Sequence, residues 1–201
     1  MIRNPTKIYA AESVAAFCLT REQWGAFSNF HRGFFLRVNG ETFRSSEALY
    51  QACRFPRFPE AQLDVMLAET PKESKLISQE NQAWGATRPD WMAVRVAIMR
   101  WCLRVKLCQH QRIFGGLLLA SGDLPIVEVS RRDPFWGAAP DGCGRLVGQN
   151  VLGELLMELR EAMRRIGPPA SVEPLPIPDF MLLDDPINIV WASPSISPVA
   201  S

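Results

Sequence analysis

The longest regular pattern of apolar residues lies in the middle of the chain. Between Pro89 and His110 apolar side chains recur at helical spacing, while Arg95 and Arg104 fall on other faces. Such spacing gives an α-helix one apolar stripe that can pack against a core. The pattern therefore predicts a helix over residues 89–110, with a stripe made of Val94, Ala97, Ile98, Trp101, Cys102, Val105 and Cys108.

Capping signals mark where other helices begin. Thr70 is followed by Pro71 and Glu73, which is the arrangement of a capping residue, a proline at the first helical position and an acid that reaches back to the cap. Ser45 and Ser46 offer an N-cap for a short helix that ends before Pro56. Besides 89–110, the predicted helices cover residues 45–54, 71 onward, 111–120 and 151–165.

Signals for β-strands are few. Asn39 and Gly40 suit a type I′ turn, so residues 33–38 and 41–43 should form a hairpin, and residues 125–129 indicate one more strand. Strands and helices do not alternate, which argues against a parallel α/β sheet. The predicted fold class is mainly α with a small β-sheet, an α+β single domain. Its expected core includes Trp84, Trp91, Trp101 and the Met and Leu positions of the last helix.

Composition changes at Gly167 and divides the chain. Residues 1–166 are predicted to form the domain, and residues 167–201 a tail that contains eight of the sixteen prolines. Prolines at this density prevent regular hydrogen-bonded ladders, so the tail should be extended, docked on the core or partly disordered. Its apolar segments, 180–183 and 187–191, favour docking on the domain and also suit contact with a partner.

Composition also limits the chemistry available. The 201 residues are 47% hydrophobic and 21% charged with a net charge of +1, which suffices for one core and argues against a general nucleic-acid coat. The sequence contains neither a signal-peptide pattern nor an apolar run of about 18 residues. Two histidines and five scattered cysteines do not make a zinc site. We therefore expect a cytoplasmic protein with no membrane segment, no metal and no cofactor.

An aromatic loop is the first candidate for ligand binding. Residues 27–30 read Phe-Ser-Asn-Phe, which places Asn29 between two rings. An asparagine in such a loop can hydrogen-bond a ligand or simply close its own turn.

One face of the short helix after Ser45 is the second candidate. Glu47, Tyr50 or Gln51, and Arg54 follow each other at helical spacing and share a face. These groups can orient a ribose. Alternatively, the acid and the arginine only complement the helix dipole.

Residues 133–160 hold the largest set of candidate groups. Trp136 and Gly137 stand between two acids, Asp133 and Asp141, and a tryptophan beside a glycine in a loop can stack on a base. Glycines follow just before the last predicted helix, where backbone amides can cradle a phosphate or simply form turns. These glycines are Gly142, Gly144 and Gly148.

Taken in this order, the segments resemble the NADAR (YbiA-like) family. The corresponding stretches read F-S-N-F at 27–30, S-E-A-L-Y-Q-A-C-R-F at 46–55, T-P-K-E-S-K at 70–75, R-P-D-W at 88–91, V-K-L at 105–107 and W-G-A-A-P-D-G-C-G through M-E-L-R at 136–160. The resemblance covers about residues 25–165. It implies a mostly helical fold with a small sheet and an N-glycosidase that cleaves bonds between ribose C1 and a nitrogen.

The resemblance also implies roles for individual residues. Glu47 matches the family acid, expected to activate water and stabilise the oxocarbenium-like transition state, with Asp133 as a second acid. Trp136 would stack on the base or sugar, and Arg54 with the glycine-loop amides would bind phosphate. The other expected ligand-binding residues are Phe27, Ser28, Asn29, Tyr50, Gln51, Gly137, Asp141, Gly142, Gly144 and Asn150.

The chain departs from the family pattern at three points. A histidine is replaced by Ala48, which removes a polar partner for Glu47 or the substrate. A lysine is replaced by Arg54, which keeps the charge but excludes an amine nucleophile. Residues 145–149 are expected to lengthen the glycine loop.

Three functions stay open on this basis. The first is an N-glycosidase that removes ADP-ribose from guanine in nucleic acid, associated with an ADP-ribosylating toxin as its antitoxin. The second is hydrolysis of phosphoribosyl-pyrimidine intermediates of riboflavin synthesis. The third, suggested by the changes at Ala48 and Arg54, is a non-catalytic reader of ADP-ribose.

Overall fold

A computed structural model describes residues 5–192 of the chain. Its helices are α1 (Ser46–Ala52), α2 (Pro59–Leu67), α3 (Pro71–Ala83), α4 (Trp91–Gln109), α5 (Gly116–Ala120) and α6 (Val151–Ile166). Helix α4 is the centre of the core, since it contacts α1, α6, the π-helical turn Gln111–Gly115 and two strands of the tail. In the part of the chain that is described, no helix combines the length and apolarity needed to cross a membrane.

The strands are short and fall into separate small sheets. They are β1 (Lys7–Ala10), β2 (Ala15–Phe17), β3 (Leu36–Val38), β4 (Glu41–Phe43), β5 (Ile126–Glu128), β6 (Ala139–Pro140), β7 (Arg145–Gly148), β8 (Ser171–Val172), β9 (Met181–Leu182), β10 (Asp185–Pro186) and β11 (Val190–Trp191). Strand β7 lies between β1 and β6 and is antiparallel to both, whereas β2 and β5 are parallel. The predicted α+β class is confirmed, with several small sheets in place of one.

Predictions that rested on local signals are confirmed. Asn39 and Gly40 both have positive φ, and they close the β3–β4 hairpin. The Thr70 side chain accepts the amide of Glu73, whose carboxylate accepts the amide of Thr70, so both halves of the capping box form. The predicted long helix corresponds to α4.

Other predictions are wrong. Trp84 is 88% exposed rather than buried, because it follows the last residue of α3 and the chain turns away at Gly85, where φ is +80°. Trp91 and Trp101 are buried as expected. Residues 145–148, expected in a glycine loop, form strand β7 because they pair with β1. Helix α2 was not predicted at all.

Residues 168–192 of the tail pack on the core, and residues 193–201 lie outside the described part. Strands β8 and β11 pair with each other against α4, and the indole Nε1 of Trp101 donates to the carbonyl oxygen of Glu173 at 3.0 Å. The buried guanidinium of Arg88 donates to the carbonyl oxygen of Pro178 at 2.6 Å. The tail is thus attached to the same segment, between α3 and α4, that supports the end of α1.

Candidate active site

A cavity of about 560 Å³ opens where α1, α3, α4 and the end of β5 meet. Three loop segments complete its wall: residues 18–20 after β2, residues 28–30 of the aromatic loop, and part of the loop between β5 and β6. Eight of the residues predicted from the sequence line it together: Ser28, Asn29, Glu47, Tyr50, Gln51, Arg54, Asp133 and Trp136. A volume of this size is typical of small-molecule and cofactor sites.

The start of α1 fixes the position of Glu47. Ser45 caps the helix by accepting the amide of Ala48 at 3.1 Å, so Glu47 stands in the first turn. Its own amide donates to the carbonyl oxygen of Asn29 at 3.2 Å, which joins the helix start to the aromatic loop. Glu47 is buried, with 5% of its surface exposed.

Hydrogen bonds from α1 and α3 hold the carboxylate of Glu47. Gln51 donates from Nε2 to Glu47 Oε1 at 2.8 Å, and its own Oε1 accepts from the hydroxyl of Ser78. Burial raises the pKa of Glu47, and the charge of Asp133 acts in the same direction. The hydrogen bond from Gln51 and the charges of Lys75 and Arg54 oppose this rise. The protonation of Glu47 therefore depends on two opposing influences: burial favours the neutral acid, and the neighbouring donors and cations favour the carboxylate.

Asp133 orients the loop that carries Trp136. Its Oδ1 accepts the amides of Phe135 and Trp136 at 3.2 and 3.0 Å. The indole ring of Trp136 meets the ring of Tyr50 edge-to-face, with centroids 5.8 Å apart. Such a fixed, half-buried indole in a cavity is suited to stacking on a planar ligand.

Three charged residues of the cavity were not among the predicted site residues: Lys75, Arg95 and Glu128. Arg95 comes from α4, and its guanidinium lies 3.8 Å from the ring centroid of Phe135. The signal for Arg95 was its position off the apolar stripe of the helix, and the signal for Glu128 was an acid in an otherwise apolar strand. Lys75 lies in the motif stretch 70–75 and is one turn into α3.

Arg54 lines the cavity with its guanidinium stacked over an aromatic ring. The Cζ atom lies 4.3 Å from the ring centroid of Trp91, a cation–π geometry. Burial lowers the pKa of Arg54, and the neighbouring Tyr50 and Glu47 oppose this change. The arginine still carries its full positive charge at any physiological pH.

The glycine loop lies outside the cavity. Gly142 and Gly144, with φ of +81° and +77°, belong to the exposed turn between β6 and β7. The carboxylate of Asp141 is used within this turn, since it accepts the amide of Cys143 at 2.8 Å and Arg145 Nε at 2.7 Å. The expectation that these amides join Arg54 at a phosphate is therefore corrected, because the pairing of β7 with β6 draws the loop into a hairpin.

Three further predicted ligand-binding residues have structural contacts instead of facing the cavity. Phe27 is fully buried in the core. Gly137 allows close backbone packing, because a Cβ there would lie 2.5 Å from the carbonyl oxygen of Glu128. Asn150 is fully buried, and its side chain joins β5 to α6 by donating to the carbonyl oxygen of Ile126 at 2.8 Å and accepting the amide of Glu128 at 3.1 Å.

Comparison with known proteins agrees with this architecture. Residues 16–164 match the NADAR domain. The chain is 37% identical over 147 residues to a riboflavin biosynthesis protein of Vibrio vulnificus, covering 73% of this chain but 38% of that longer protein. It is 32% identical over 154 residues to the N-glycosidase YbiA of Escherichia coli, covering 76% of this chain and 89% of YbiA.

The structure of E. coli YbiA is also similar. The two chains superimpose with a TM-score of 0.64 at 31% sequence identity, over 76% of this chain and 85% of YbiA. Fold and cavity define a mixed α+β protein in which carboxylates and cations face one cavity. The chain belongs to the NADAR family.

Proposed function

We propose that this protein is an N-glycosidase that hydrolyses the bond between ribose C1 and a base nitrogen, and that it removes ADP-ribose from guanine in nucleic acid. The observation that carries the proposal is the buried carboxyl group of Glu47 in a cavity that also contains Trp136 and three cationic side chains. Relatives named N-glycosidases support the reaction class.

Cleavage of the C1–N bond requires groups of this kind. The bond electrons leave with the base, so positive charge develops on the ribose, and a carboxylate beside C1 lowers the barrier. A water molecule then adds to C1 and loses a proton to a base. Burial raises the pKa of Glu47, but Lys75 and Arg54 favour its ionised form and Gln51 holds its carboxyl group in one orientation, so the ionised group is suited to both tasks.

The cations of the cavity favour a substrate with phosphate groups. Arg54, Lys75 and Arg95 all line the cavity, and none forms an ion pair with a carboxylate within residues 5–192. A diphosphate would compensate two of these charges by charge-assisted hydrogen bonds. Trp136 offers the surface on which a guanine or adenine ring would stack. In a cell this activity would reverse the action of an ADP-ribosylating toxin.

The second candidate substrate is a phosphoribosyl-pyrimidine intermediate of riboflavin synthesis. The specific observation in its favour is the 37% identity to a protein named for riboflavin biosynthesis. The chemistry at ribose C1 would be the same, with a single phosphate in place of the diphosphate. The two substrates differ in the number of phosphates that the three cations would have to bind.

The test is incubation of the purified protein with an oligonucleotide that carries ADP-ribosylated guanine. Mass spectrometry would measure loss of the adduct and release of free ADP-ribose. We expect wild type to remove the adduct and Glu47→Gln, an isosteric change that removes the acid, to be at least about 100-fold slower. The exposed acid on α3, Glu80, provides a matched control in Glu80→Gln, which should retain wild-type activity.

Other results would redirect the proposal. Turnover by Glu47→Gln at the wild-type rate would remove Glu47 from the mechanism. Cleavage of a phosphoribosyl-pyrimidine but not of the oligonucleotide would select the second candidate. Ligand-dependent thermal stabilisation without turnover of either substrate would indicate a non-catalytic reader of ADP-ribose.

A further inference from the structure

Glu128 contributes a third carboxyl group to the cavity, and no contact among the described residues engages it. Glu128 is the last residue of β5, and its backbone is fixed on both sides: its amide donates to Asn150 Oδ1 at 3.1 Å, and its carbonyl oxygen accepts the amide of Ala138 at 2.8 Å. Its side chain lines the same cavity as Glu47. No hydrogen bond or ion pair engages that side chain within residues 5–192.

Asp133 differs from Glu128 in this respect. Its Oδ1 already accepts two backbone amides, and those bonds hold the loop that places Trp136. A carboxyl group committed to amide donors is poorly arranged to transfer a proton to a substrate. Of the three acids that line the cavity, Glu47 is held by Gln51, Asp133 holds its own loop, and Glu128 alone has both oxygens available.

Burial and the neighbouring acids keep a large fraction of Glu128 protonated near neutral pH. Burial raises the pKa of Glu128 to about 7, and the charges of Glu47 and Asp133 contribute to the rise while Lys75 opposes it. Arg95 is the cation that α4 adds to the same cavity. Two carboxyl groups that share a site and differ in environment commonly divide the acid and base roles of a glycosidase.

We propose that Glu128 is the general acid of the reaction, donating a proton to the departing base nitrogen while Glu47 receives the proton of the attacking water. The inference rests on the proposed glycosidase function. In the complete step the C1–N electron pair moves to the nitrogen, which takes the proton of Glu128, and a new bond forms between the water oxygen and C1. After the reaction Glu47 releases its extra proton to solvent and Glu128 takes one up from solvent, so both groups return to their starting states.

The leaving group provides a test that a purely structural role would not pass. Guanine bound through a nitrogen leaves as an anion unless it is protonated, whereas a pyridinium base, such as the nicotinamide of an ADP-ribosyl nicotinamide, leaves as a neutral molecule. Rates would be measured for wild type, Glu128→Gln and the surface control Glu80→Gln on both substrates. We expect the rate loss of Glu128→Gln to be at least about 30-fold greater on the guanine substrate than on the pyridinium substrate.

The pH profile gives an independent readout on the guanine substrate alone. The wild-type rate should fall as pH rises through about 7, where Glu128 loses its proton, and this fall should be absent in Glu128→Gln. The inference would be overturned if Glu128→Gln lost the same factor in rate on both substrates and its rate still fell above about pH 7 as in wild type. If the wild-type protein turns over neither substrate, the proposed function itself is overturned. That outcome is distinguishable from failure of the Glu128 inference, because it is seen in the wild type before any variant is compared.

Discussion

Lys106 lies on α4 beneath the turn that brings Ser28 to the cavity, and its side chain is fully buried. Its Nζ donates to the carbonyl oxygens of Ala26 and Ser28 at 2.7 and 3.4 Å. The same atom lies 4.5 and 4.3 Å from the ring centroids of Phe34 and Phe114. Burial lowers the pKa of Lys106 from 10.5 to about 7, although the carbonyls and rings favour the charged amine.

This lowered pKa makes the stability of the protein depend on pH. In the unfolded chain Lys106 stays protonated up to about pH 10.5, whereas in the folded protein it releases its proton near pH 7. Between these values the unfolded state binds more protons, so the free energy of unfolding rises with pH, by at most about 1.36 kcal/mol per pH unit. From pH 7.5 to 9.5 the contribution of Lys106 amounts to about 2 kcal/mol.

Urea unfolding of wild type and Lys106→Met across this pH range would measure the contribution. Cys102 and Tyr50, whose pKa values are raised by burial, are present in both proteins, so the difference between the two curves isolates Lys106. We expect the free energy of unfolding of wild type, minus that of Lys106→Met, to increase by about 2 kcal/mol between pH 7.5 and 9.5. Arg104→Met, which removes an exposed charge from the same helix, should follow wild type. Parallel curves for wild type and Lys106→Met would refute the reasoning.

Two further predictions use matched pairs of variants. Trp136→Ala should raise KM about tenfold because the stacking surface is lost. Trp84→Ala removes an indole that is 88% exposed and lies outside the cavity, so it should leave KM unchanged. An equal KM for both variants would argue against stacking. Asn150 has a φ of 49° and links β5 to α6 through buried hydrogen bonds, so Asn150→Ala should lower the free energy of unfolding by about 3 kcal/mol. Asn150→Gly should lose about 1 kcal/mol less because glycine tolerates positive φ, and urea unfolding that ranked the two variants in the opposite order would contradict this account.

Features set by neighbouring residues could be predicted from the sequence. The β3–β4 hairpin depends on two adjacent residues, Asn39 and Gly40, that accept positive φ. The capping box at the start of α3 depends on Thr70 and Glu73, which are three residues apart. The face of α1 that presents Glu47 and Gln51 follows from helical spacing in the same way. Each of these features depends on residues that are at most four positions apart in the sequence.

Features that depend on distant pairing could not be predicted in this way. Glu128 faces the cavity because β5 pairs in parallel with β2, more than a hundred residues earlier. The glycine loop lies outside the cavity because β7, besides forming the local hairpin with β6, also pairs with the distant β1, with Lys7 opposite Gly148. Glycine spacing alone fits a turn as well as a phosphate cradle, so the two possibilities differ only in the strand pairing. The long-range contacts therefore decided which of the candidate groups share a site.

Two departures from the family pattern, Ala48 in α1 and Arg54 just after it, can be interpreted from the contacts around them. Ala48, in place of a histidine, is buried and does not line the cavity, while the carboxylate of Glu47 finds its partner four residues later in Gln51. Arg54, in place of a lysine, keeps a cation in the cavity and adds a planar group that stacks over Trp91, which an ammonium could not do over the same area. Neither change removes an acid or a cation from the cavity, so the carboxyl groups and cations on which the proposed hydrolysis depends are retained.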